Sequence, residues 1–172
     1  MMDKMGLKSE NIGQISIEFI LLIGISFVLV LSLATVLNNE NEMNIAMAAA
    51  RDGAIEGANI NGIAIYPQSA FDDYVLNNHI LTYPNSVKII KIEIRNNGYH
   101  DVYNRTRLQL RVFASSPDLK TTSDKNSAGS RINYYVRKSI ANSFNTEHLS
   151  NNLYNPSFST NYVFTTANVQ WV

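Results

Sequence analysis

The chain has no cysteine, and only 4 of its 172 residues are proline. Without cysteine there are no disulfides and no thiolate metal sites. An extracytoplasmic location stays open, because a domain with an adequate core needs no staples. The first proline is Pro67, so no proline interrupts a helix in the first third of the chain. Charge of neither sign dominates: Lys plus Arg number 14, Asp plus Glu number 14, and the formal net charge is zero. Nucleic-acid binding needs a clustered basic footprint, and there is no electrostatic case for it here.

The patterns of catalysis are missing as well. His79, His100 and His148 stand far apart, with no spacing suited to a shared metal. There is no phosphate-cradling glycine loop, nucleophile elbow or dinucleotide fingerprint. Asp72-Asp73 reads as the start of a short helix or turn, although paired carboxylates in a loop can take a hard cation. Arg105, Arg107 and Arg111 can attract anions, but their alternation fits the solvated face of a strand. These observations give no support to an enzyme, a cofactor or a metal centre.

The most telling absence is of charge between Glu18 and Glu40. The apolar run from Phe19 to Leu37 passes the length of ~18 residues at which a helix becomes a candidate to cross a bilayer. Glu18 sits at its threshold. A carboxylate is unfavourable there, by ~2.5–3.5 kcal/mol near mid-bilayer and less near the interface, so a partner for it is expected. An ordinary secretory signal has a basic start, an apolar core of about 7–15 residues and a small-x-small site close behind. Here Lys4 and Lys8 are offset by Asp3 and Glu10, the run is longer, and Ala46-Met47-Ala48 lies well past it. A simple uncleaved anchor explains the apolar run but not the residues that open it.

Those residues are Gly13-Gln14-Ile15-Ser16-Ile17-Glu18-Phe19. The pattern Gln14-x-Ser16-x-Glu18-Phe19 after a glycine resembles the class III signal sequence of archaeal type IV pilin precursors. The resemblance covers residues 1 to about 40 and implies the following. A membrane prepilin peptidase cuts between Gly13 and Gln14. The freed helix leaves the membrane lipid to bundle with other copies or other pilins through a pilus assembly machinery. Glu18 meets the new amino terminus of a neighbouring subunit. The localisation implied is a secreted surface filament, or fimbrium, with its precursor in the cytoplasmic membrane. The rival in another class is a membrane-anchored surface protein that captures a solute or ligand without forming filaments.

The chain then divides into a leader (1–13), a long helix (14–66) and an extracellular head (67–172). The head has roughly 105 residues, near the usual size of one domain. The fold class expected is α+β: a long hydrophobic N-terminal helix like that of type IV pilins, then a β-rich head with one additional helix. Past the apolar run, small residues recur every four positions, as Ala49, Gly53, Gly57 and as Ala50, Ala54, Ala58. Such rows line one side of a helix and let another backbone approach closely. Glycines there cost ~1 kcal/mol each against alanine, which close packing must offset. Two uses remain open for Ala49, Gly53 and Gly57: contact with neighbouring subunits during assembly, or a seat for the chain's own sheet.

In the head, Val87–Arg95 ends in alternation, with Ile90, Ile92 and Ile94 on one face and Lys91, Glu93 and Arg95 on the other. Asn97-Gly98 follows as a hairpin signal. The return strand sets Thr106, Leu108, Leu110, Val112 and Ala114 against Arg105, Arg107, Gln109 and Arg111. The polar stretch from Ser115 to Gly129 reads as a loop. Ser130 then caps a helix striped by Ile132, Tyr135/Val136, Ile140 and Phe144. After a loop around Pro156, alternation from Val163 to Trp171 closes the chain. One glycosylation sequon exists, Asn104-Arg105-Thr106. Strand parity with Val102 and Leu108 points Asn104 inward unless the hairpin is bulged.

Overall fold

The proline-free first third forms one helix, α1 (Gly6–Asn59), of 54 residues. It belongs to a computed structural model that describes residues 6–59 and 87–172, with side chains in α1 from Ile17 onward. The end of the expected helix at 66, Pro67, Asp72, Asp73 and His79 lie outside the described residues. The chain divides into two compact units at Asn41/Glu42. The second unit therefore opens at Glu42, inside α1, well before the expected head boundary at residue 67.

The second unit is α+β. Helix residues 42–59 are joined by β1 (Lys88–His100), β2 (Arg105–Ser115), α2 (Thr122–Ser143), a 3-10 turn (Glu147–Leu149), β3 (Ser157–Phe158), β4 (Tyr162–Thr166) and β5 (Gln170–Trp171). The mixed sheet runs β1-β2-β4-β3. β2 is antiparallel to β1 and parallel to β4, with β5 continuing along the same edge of β2 at Phe113 and Ala114. On β2 the expected alternation holds: Leu108, Leu110, Val112 and Ala114 are buried in one core with Ala46, Ala50 and Ala54 of α1 and Ile132, Val136 and Ile140 of α2.

β1 departs from its expected pattern twice, both times through a bulge. Ile89 pairs with Ala114 and Lys91 with Phe113, leaving Ile90 as an extra residue. An extra residue reverses facing in a strand whose side chains alternate. Ile89, Ile92 and Ile94 therefore pack on the core while Ile90 stands exposed. The second register shift falls between Asn96 and Tyr99. Asn97-Gly98 is thus inside the strand and not the hairpin turn. Gly98 takes φ +79°, a left-handed geometry suited to glycine, and donates its N–H to Asn96 Oδ1 at 2.8 Å. The turn itself is Asp101–Asn104, closed by Tyr103 N–H to His100 O and Asn104 N–H to Asp101 O, each 3.2 Å.

The second helix starts inside the stretch expected to be loop. Thr121 is its N-cap, accepting from Asp124 N–H at 3.0 Å, and Thr121-x-x-Asp124 has the spacing of a capping box. Ser130 lies well inside it. The expected stripe survives in register: Ile132, Val136 and Ile140 are fully buried, and Phe144 forms the C-cap.

Candidate functional site

Along α1, Ile17 to Leu37 presents an apolar surface on every side. Each large apolar side chain there is at least half exposed, from Ile23 at 50% to Ile20 at 68%. Past Glu18, Ser26, Ser32 and Thr35 are the polar side chains of this stretch. Their hydroxyls donate to the carbonyls of Leu22, Val28 and Leu31 at 2.8, 2.8 and 2.9 Å. A hydroxyl that returns its proton to the preceding turn makes no demand on water. This segment is long and apolar enough to cross a membrane. At Gly24 an added Cβ would meet nothing within 4 Å, and the shallow groove beside it is walled by Leu21, Ile25, Val28 and Leu29.

The motif residues divide between described and undescribed. Gly13 and Gln14 have helical backbone within α1, and the side chains of Gln14 and Ser16 lie outside the described residues. Glu18 and Phe19 are exposed at the head of the apolar surface. A carboxylate placed there is open to any cation that a neighbour or the medium brings.

The rows of small residues are filled from within the chain. An added Cβ on Gly53 would lie 2.4 Å from Tyr135 O and 2.9 Å from Ser139 Cβ, and one on Gly57 would lie 2.9 Å from Ile132 Cα. The two glycines mark the crossing of α1 and α2, where backbone nearly touches backbone. Arg131 of α2, almost wholly buried, donates from Nε to Gly57 O at 2.7 Å and ties the crossing. The other row, Ala46, Ala50, Ala54 and Ala58, joins the core beneath β2. The partner of Gly53 and Gly57 is therefore the chain's own second helix, while Ala49 joins the same core as the alanine row. At Gly53 and Gly57 the close neighbour is thus α2 and not the sheet, which the alanine row meets.

One carboxylate of this region escaped the sequence reading. Glu42, only 7% exposed, accepts from the backbone N–H of Asn161 at 3.1 Å and from its side-chain amide at 2.7 Å. The Asn161 carbonyl in turn accepts from Thr106 N–H at 3.1 Å. Glu42 thus fastens the first turn of the helical segment 42–59 to the chain at the start of β4. A signal was present: Glu42 lies four residues before Ala46, in register with Ala50, Ala54 and Ala58.

The remaining candidates stay apart. His100 stacks on Tyr103 with ring centroids 4.8 Å apart, while His148 is exposed in the 3-10 turn. Arg105 donates to Thr160 O at 3.1 Å and lies over the Phe158 ring, and Arg111 is exposed on its strand face. Arg137 is held by Thr166 Oγ1 at 2.6 Å, and burial lowers its guanidinium below the ordinary value, with Tyr134 acting in the opposite sense. Among the described residues no three His, Asp or Glu side chains gather as metal ligands. A cavity of about 150 Å³ opens between α2 and the chain's end, lined mainly by Lys125, Asn126, Asn133, Asn168 and Trp171. Asn104 lies exposed in the Asp101–Asn104 turn at φ +53°, so the bulged hairpin turns the sequon outward.

Comparison with protein-family models, with curated proteins and with solved structures finds no match to this chain.

Proposed function

We propose that the chain is a pilin-like structural subunit of an archaeal type IV pilus-like surface filament, made as a membrane-anchored precursor and cut between Gly13 and Gln14. The observation that carries this reading is the apolar surface of α1 from Ile17 to Leu37, exposed all round and opened by the single carboxylate Glu18 four residues after Gln14. So large an exposed apolar surface needs a cover. In the precursor that cover is lipid. Once the leader is removed, the same surface is covered by the helices of other subunits, exchanging one apolar environment for another. The exchange carries little hydrophobic gain, so association rests on packing and on polar pairing. Glu18 supplies the polar element, and the new α-amino group, with a reference pKa of ~7.7–8.0, is largely protonated near neutral pH to meet it.

The division of α1 supports the same assignment of labour. Residues 42–59 are engaged by the chain's own head, with Gly53 and Gly57 against α2 and Glu42 on Asn161. Residues 17–37 have no such cover within their own unit. The experiment is to sequence the amino terminus of the mature protein and to image surface filaments carrying a tag on the head. Gln14 as first residue together with tagged filaments is the expected result. Met1 or Met2 as first residue, with the head still on the cell, overturns it.

A second reading, an anchored protein that captures a solute without forming filaments, is favoured by the polar-lined cavity at Asn126, Asn133, Asn168 and Trp171. It predicts an uncut amino terminus and no filaments.

A further inference from the structure

The geometry points to Asn104 as an N-glycosylation site whose first sugar packs against Tyr99. The proposal rests on the head lying outside the cytoplasmic membrane. Asn104-Arg105-Thr106 is the chain's only acceptor sequence, because Asn155-Pro156-Ser157 is disqualified by its proline. Its asparagine sits at the end of a four-residue turn in which Asp101, Val102, Tyr103 and Asn104 are all exposed. The Tyr99 hydroxyl donates to Asn104 Oδ1. That contact fixes the oxygen side of the amide and leaves Nδ2, the atom that carries a glycan, directed away from it.

A second observation concerns the surroundings. Val102 is 82% exposed and Tyr99 61%, with Tyr103 beside them at 36%. Tyr103 is already packed by His100 and Phe158, which leaves Val102 and the Tyr99 ring as the exposed apolar faces beside the turn. Aromatic rings present flat apolar faces of the kind on which the C–H side of a pyranose stacks, as they do for other flat partners. A saccharide on Asn104 would lie over the Tyr99 ring and cover that patch.

The co-reactant is an oligosaccharide carried on a membrane lipid through a phosphate ester. In the transfer, Asn104 Nδ2 forms a bond to the anomeric carbon, and the bond from that carbon to the phosphate oxygen breaks. The amide gives up one proton to a base of the transferase, and the lipid phosphate leaves as its anion. Nothing is oxidised or reduced. Thr106, the hydroxyl residue of the sequence, is held in β2 with its N–H on Asn161 O. The transfer step therefore belongs to the exported chain before β4 closes on β2.

The test is glycopeptide mass spectrometry on the full chain purified from its own cells, beside Asn104→Gln, Thr106→Ala and Thr106→Ser. The expected result is a saccharide mass on the Asn104 peptide and a slower gel band. Both are lost in Asn104→Gln and Thr106→Ala and kept, in whole or part, in Thr106→Ser. Thr106→Ala leaves the left-handed Asn104 in place, so its loss of sugar is not a folding effect of that position. A bare Asn104 peptide in the parent, or a saccharide there that persists in Thr106→Ala, overturns the proposal. Protease shaving of intact cells reports the location separately. If the head is shaved and Asn104 is bare, the glycan fails while the surface reading stands; if the head is protected from protease, both fail.

Discussion

Gly53→Ala is the sharpest perturbation of the α1–α2 crossing, because two opposing effects are set against each other at one atom. Alanine is a better helix former than glycine by ~1 kcal/mol, and on an open helix face the substitution stabilises. At Gly53 the new Cβ would arrive 2.4 Å from Tyr135 O, 2.8 Å from Tyr135 C and 2.9 Å from Ser139 Cβ. Ordinary carbon contacts need ~3.5–4.0 Å, so the backbones must separate by about 1 Å. No flexible side-chain tip stands in the way to swing aside; the obstacle is the α2 main chain. A gap of ~0.5–1 Å forfeits a quarter to a half of each contact's attraction, and it opens along the whole crossing. Overpacking of this kind costs ~1–3 kcal/mol. With an immovable obstacle the upper half of that range applies, and the net loss after the propensity gain is ~1–2 kcal/mol.

The assay is thermal unfolding of the full chain in detergent, followed by the fluorescence of Trp171, the only tryptophan. At ~4 °C per kcal/mol for a domain of this size, Tm falls by ~4–8 °C. Gly24→Ala is the control, since nothing lies within 4 Å of its Cβ, and it leaves Tm unchanged or slightly raised. Equal or greater stability of Gly53→Ala would mean that helix propensity wins and that the two helices do not cross backbone to backbone.

Glu42→Ala removes the carboxylate that both Asn161 donors meet and should cost ~1.5–3 kcal/mol, the range for hydrogen bonds to a charged group, read as a fall in Tm; an unchanged Tm refutes the fastening role. Gly13→Val should leave the leader attached, seen as a larger band on a denaturing gel, and normal cleavage of that variant removes the main support for the processing site. Glu18→Gln should insert and be cut but fail to assemble, because losing one member of a buried ion pair costs ~3–5 kcal/mol; filament mass equal to the parent's at matched precursor levels refutes the pairing.

What the sequence made legible follows the strength of its periodicities. That one long helix occupies the N-terminal part was readable from the apolar run and the absence of proline before Pro67, and the buried face of β2 from the alternation Leu108, Leu110, Val112, Ala114. β1 was misread at its two bulges, since a bulge is a relation between two strands and leaves the local pattern almost intact. Asn97-Gly98 shows this well: the left-handed conformation it favours was required, but for a bulge at Gly98 and not for a turn. The early start of α2 was hidden by the polar composition of residues 122–127, although Thr121-x-x-Asp124 was there to be read. Of the site, the exposed apolar surface and the position of Glu18 were legible. The identity of the partner on the glycine row was not, because small residues state that something comes close without stating what.

The placement of Glu42 sharpens the distinction between the two carboxylates of α1. Both stand at an edge of a helical surface, yet they meet opposite fates. Glu42 is buried and answered twice by Asn161, so its cost of desolvation is met inside the chain. Glu18 is exposed, at the start of a surface whose other polar groups, Ser26, Ser32 and Thr35, have all turned inward on their own helix. Among its described residues, the segment 17–37 answers its three hydroxyls locally and carries its remaining polar demand at Glu18. Any apolar cover laid over residues 17–37 must then bring a cation to Glu18, leave it protonated, or bury a charge at a cost of several kcal/mol. Lipid meets this by keeping Glu18 at the interface. A bundle of like helices meets it if each subunit carries a positive group near the same level, and the proposed cut between Gly13 and Gln14 would create one four residues before Glu18.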